Sequence, residues 1–141
     1  MATAADAELV LRLYELRREE TLRKARRFMV FDFQPKTVEE LRVVSRDVKS
    51  EHNVAWRQVL SYWEMAASLV LRGAVDADLF LDSNGEGILL YAKFHHFHAE
   101  TEKQSGSPFM RQTAAMIEKY PVAKARYEEF LKRFVPAETS A

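Results

Sequence analysis

The fold class that the sequence predicts is all-α: a single-domain bundle of about five or six helices around a central helix at residues 50–72. Three observations predict it. Residues 53–73, NVAWRQVLSYWEMAASLVLRG, are apolar around well over half of a helical circumference, so several other helices must cover them. Of 141 residues, 48% are hydrophobic and only four are glycine and four proline, a globular and helical composition for about one domain. Elsewhere apolar residues recur three and four apart rather than in alternation.

The first helix is expected over 5–29, with Leu9, Leu13, Leu16, Leu22 and Ala25 as a narrow apolar stripe among many charges. It should stop at FDFQPK, because Pro35 lacks a donor and pushes Gln34 out of helical geometry. Thr37 and Glu40 form a capping box for a short helix to about Asp47. Ser50 caps the central helix, Glu51 sits at the positive end of its dipole, and Gly73 closes it as a left-handed cap.

Asp76 caps the next segment. Over 83–87 its Asn-Gly pair signals a turn, but the flanks lack strand alternation, and a helix kinked or weakened at Gly85 and Gly87 is the preferred reading. Gly106-Ser107-Pro108 should stop that helix and start another, with Ser107 as cap and Pro108 at the first helical position. Phe109, Thr113, Met116, Ile117 and Tyr120 are its inner face. Pro121 begins the last helix, to about Val135, and residues 1–4 and 136–141 are expected to fray at the ends of a single domain spanning 1–141.

Composition also excludes function classes. With no cysteine there is no disulfide framework, thiolate metal site or thiol nucleophile. Lysine plus arginine equal aspartate plus glutamate at 21 each, so net charge gives no long-range attraction to nucleic acid or acidic membranes. The amino terminus lacks a signal-peptide pattern, and the apolar run at 65–71 falls far short of the roughly 20 residues that span a bilayer. A cytoplasmic protein without a membrane span is expected.

Trp63-Glu64, Ala67, Val70, Gly73, Asp76, Leu79-Phe80 and Asn84-Gly85-Glu86, followed by an aromatic helix, resemble a group of small uncharacterised all-helical bacterial proteins that share a domain of unknown function. The likeness covers residues 53–120. It implies the helical fold and carries no mechanism. Some of that group have an amino-terminal membrane span, where this chain has a charged helix.

Three polar features could carry chemistry. Glu64 lies at the margin of the apolar arc of the central helix, beside Arg57. A half-covered carboxylate there could act as an acid or base or hold a metal; an ion pair with an arginine, or a bond to Asn53 or a tyrosine, is the preferred reading. His95, His98 and Glu102 would share one side of a continuous helix, with the donor types that bind a divalent metal, although no HExxH or Glu-x-x-His pair accompanies them. The alternative is a hydrogen bond from His98 to Glu102, with His95 at the core rim. Seven cations between Arg12 and Arg27 could track phosphates, but their interleaved glutamates suit a solvated helix with Glu19–Arg23 and Glu20–Lys24 pairs.

The function expected is a non-enzymatic interaction or regulatory module without a cofactor, with a protein partner or a second copy covering the stripe of the first helix. A metal- or small-ligand-binding protein using His95, His98, Glu102 and Glu64 is the alternative. Nucleic-acid binding through the basic helix is a third.

Overall fold

Thr3 opens the chain's first helix with a reciprocal capping box: its hydroxyl accepts from the Asp6 amide at 3.1 Å, while the Asp6 carboxylate accepts from the Thr3 amide at 2.9 Å. The computed structural model describes residues 1–135, and the tail expected to fray at 136–141 lies outside them. Nine α-helices, and no strand, are present among the described residues: α1 Ala4–Arg17, α2 Glu20–Arg27, α3 Val38–Arg46, α4 Glu51–Leu71, α5 Ala77–Ser83, α6 Glu86–Lys93, α7 His98–Ser105, α8 Arg111–Lys119 and α9 Pro121–Phe134. The all-α bundle is as expected. The count of five or six is not, and the excess comes from three breaks.

The first break divides 5–29. Glu19, expected to pair with Arg23, instead accepts hydrogen bonds from the Thr21 and Leu22 amides and caps α2. The turn frees α1 to pack on α5 while α2 packs on α4. Glu20 and Lys24 do pair, at 3.1 Å. The helical path then widens to a π turn at Phe28–Asp32, closed by the Phe33 amide on the Phe28 carbonyl at 2.8 Å, before Pro35 ends it.

The second break falls at Asn84-Gly85, where the expected kinked helix is two helices. Asn84 is buried and donates to the Phe80 carbonyl at 3.0 Å, which spends the α5 terminus locally. Gly87 explains the new direction: a β-carbon there would lie 3.0 Å from Trp63 Cβ, so its absence lets α6 run close against α4. At the third break the backbone tightens into a 3-10 turn at His95–Phe97, which separates α6 from α7.

Central helix α4 runs Glu51–Leu71, within a residue or two of the expected bounds, with the Ser50 hydroxyl accepting from His52 and Gly73 in the left-handed region. It packs against α2, α3, α6 and α8, and α9 closes the bundle over α6 and α8. Trp56, Val59, Trp63, Ala66, Ala67 and Val70 are buried along it, as the apolar arc requires. Each large side chain among them adds roughly 1.5–3 kcal/mol by leaving water. Thr113, Met116 and Ile117 of α8 face them. No helix among the described residues is long and apolar enough to cross a membrane.

Candidate functional site

Glu64 does not pair with an arginine. One carboxylate oxygen accepts from the Gln112 amide at 2.9 Å; the other accepts from the Thr113 amide at 2.9 Å and the Thr113 hydroxyl at 2.7 Å. These are the orphan donors of the first turn of α8, where a negative charge also meets the positive end of the helix dipole. The cap comes from another helix because the local one fails: Ser107 and Pro108 lie in the loop, and α8 starts only at Arg111, behind Met110 at φ 47°. Met110 has no side chain that could cap, so the expected Ser107 cap is replaced by Glu64. Arg57, the partner anticipated for Glu64, donates to Asn53 Oδ1 at 2.8 Å, and Asn53 in turn donates to the Val44 carbonyl at 2.8 Å.

The 3-10 turn at His95–Phe97 interrupts the helical spacing that would align His95, His98 and Glu102. His95 Nδ1 lies 2.9 Å from the Ala92 carbonyl, and its ring sits 3.6 Å from that of His96. His98 packs against the rings of Tyr91 and Phe109, at 4.1 Å and 5.4 Å between ring centroids. Its Nε2 is buried without a hydrogen-bond partner among the described residues. Burial pushes the His98 pKa down to about 4, against a raising bond to the Tyr91 backbone, with His95 adding repulsion. Burial lowers His95 as well. Among the described residues no three histidine or carboxylate side chains gather as metal ligands, so His95, His98 and Glu102 do not form the anticipated set. The expected His98–Glu102 hydrogen bond is replaced by this aromatic packing.

Two polar centres were not foreseen. Glu86, at the first position of α6, receives Arg26 Nε at 2.8 Å, Arg26 Nη2 at 3.0 Å and the Trp63 indole N–H at 2.9 Å. This fork-to-fork pair ties α2, α4 and α6 together, with side-chain exposures of only 23% for Arg26 and 16% for Glu86. Arg17 extends the network, donating to Asn84 Oδ1 at 3.0 Å and the Ser83 carbonyl at 3.2 Å. Lys93 is the second centre. Its buried ammonium donates to the carbonyls of Met29 at 2.7 Å and Val30 at 3.3 Å, within the π turn, and of Phe33 just after it. Burial lowers its pKa to about 8, with Asp32 pulling weakly the other way.

Both had a signal in the sequence. Arg26 falls four residues after Leu22 and three before Met29, on the apolar face of α2, and Lys93 falls between Leu90 and Phe97 at the same spacings. A buried indole such as Trp63 also demands an acceptor.

The basic helix is accordingly depleted of free cations. Arg17 and Arg26 are tied inward and Lys24 is paired, leaving four of the seven, Arg12, Arg18, Arg23 and Arg27, of which Arg23 and Arg27 lie beside Glu86 and Phe31 on a cleft of about 460 Å³. A second cleft, of about 420 Å³, lies between α3, α4, α7 and the loop before α8, with Glu64 in its wall.

A family model described as a domain of unknown function, DUF4760, matches residues 2–120. No curated protein and no solved structure matches the chain.

Proposed function

We propose, from the premise that the chain belongs to the DUF4760 family, that it is a non-enzymatic interaction module that self-associates through the groove between the end of α1 and α4. The groove is lined by Leu16, Leu22, Tyr62 and Met65. The carrying observation is that Leu16 and Met65, both large and apolar, remain 44% and 43% exposed along it. The stripe of the first helix is thus buried at Leu13 and uncovered at Leu16.

A second copy suits this surface. The chain's positive and negative residues balance at 21 each, so two copies do not repel at long range. Glu8, Arg12 and Glu15 on α1 make no ion pair among the described residues and supply both signs to a twofold contact. The non-enzymatic reading is supported by how the reactive groups are used: Glu64 caps a helix, Glu86 holds Arg26 and Trp63, and Lys93 is saturated by carbonyls.

Sedimentation velocity over a concentration series tests the proposal. A dimer that dissociates on dilution is expected, and Leu16→Glu with Met65→Glu should give a monomer of unchanged helicity. A wild-type chain that stays monomeric at the highest concentration sinks the reading.

A further inference from the structure

The cleft beside α8 joins an apolar floor to a cationic mouth. Trp56, Leu41 and Met110 are buried in its floor, with Leu60 and Phe109 half-buried beside them. Three arginines line it: Arg42 and Arg46 from α3, and Arg111 from the first turn of α8. Glu64, the one carboxylate in the wall among the described residues, has both oxygens occupied by α8.

The arginines, by contrast, are poorly satisfied. Among the described residues Arg42 has Nε and Nη2 buried without a hydrogen bond; Glu100 lies 3.5 Å from Nη2, where it balances charge without hydrogen-bond geometry. Arg46 makes a long bond of 3.4 Å to Gln104. Arg111 has no hydrogen bond or ion pair from its side chain among the described residues. Buried donors without acceptors are costly, and a carboxylate is the acceptor that matches a guanidinium fork.

We propose that this cleft binds a small amphipathic carboxylate, with its apolar body on Trp56 and Phe109 and its head group at the arginines of α3 and α8. The volume lies within the ordinary range for small-ligand sites, and the cleft sets an apolar floor of Leu41, Trp56, Leu60, Phe109 and Met110 beside charged and polar side chains, as an amphipathic ligand requires. Met110, at φ 47° in the floor, joins the loop residue Phe109 to Arg111 at the start of α8. The site shares no residue with the groove between α1 and α4.

Calorimetric titration with decanoate, acetate and decyltrimethylammonium, all below micellar concentrations, tests the assignment on the full chain. Saturable decanoate binding with a change in tryptophan emission is expected, and neither acetate nor the cationic amphiphile should saturate. Arg42→Gln should weaken decanoate by about tenfold, the magnitude of one charge-assisted hydrogen bond. Ser45→Phe fills the cleft without altering its charge and should abolish binding while leaving the circular dichroism spectrum unchanged. The Leu16→Glu, Met65→Glu chain should bind decanoate as the wild type does, whatever its oligomeric state. No saturable binding, equal binding of the cationic amphiphile, or decanoate binding that survives both cleft variants overturns the proposal.

Discussion

Glu64 belongs to the same turn of α4 that Glu86 reaches from α6 through Trp63, yet the two glutamates do opposite jobs. Glu86 meets a guanidinium and an indole; Glu64 meets only uncharged donors at the head of a neighbouring helix. The difference begins with adjacent residues. Trp63 and Glu64 stand about 100° apart around α4, so one faces α6 and the other faces α8. A carboxylate near α6 finds Arg26 within reach, whereas one near α8 finds a helix end without a cap of its own. Ion pairing is therefore a property of what another helix brings, not of a glutamate's place on its own.

The comparison can be broken most forcefully at Glu86. Glu86→Leu leaves the Arg26 charge partly buried without a counter-ion and Trp63 without an acceptor, and should cost about 3–4 kcal/mol. Urea denaturation measures it; a loss below about 1 kcal/mol would show that the pair behaves as an exposed one. Glu86→Gln should lie between, since its oxygen can still accept from Trp63.

His98 offers a different means of disruption, through pH. Its folded pKa is depressed to about 4 from 6.5, so the unfolded chain binds more protons in that window. Stability is therefore fully present above about pH 6.5 and is lost as pH falls toward 4. Allowing for the partial exposure of the ring, the contribution is about 2 kcal/mol. His98→Asn should flatten this part of the pH profile relative to wild type, and a profile identical in the two chains refutes the buried neutral imidazole.

Glu64→Ala should cost about 1–2 kcal/mol, the loss of a helix cap, and hydrogen exchange should rise selectively at Gln112 and Thr113. The smallest effect sharpens the contrast. Arg57→Ala should cost about 0.5 kcal/mol, and its double-mutant cycle with Glu64→Ala should show coupling within about 0.3 kcal/mol of zero. The equivalent cycle at Arg26 and Glu86 should exceed about 1 kcal/mol.

Much of the fold was legible because its signals are local. Thr37 and Ser50 cap where their side chains can reach the next turn, Asp76 accepts from Leu79 at 2.9 Å, and Pro121 begins α9. The misread places are those where a side chain served a distant element. Spacing suggests a four-residue pair for Glu19, because spacing alone does not distinguish a helix interior from its cap. His95, His98 and Glu102 align only on a continuous helix, which the 3-10 turn interrupts.

The sequence by itself determined the all-α class, the span of the central helix and its buried arc, because periodicity, caps and glycine or proline breaks act within a few residues. Tertiary structure alone decided the fate of the charges: Glu64 to a cap, Glu86 to Arg26, Lys93 to three carbonyls. A charged group takes the partner that packing leaves within about 3 Å, and for each of these the partner lies dozens of residues away along the chain.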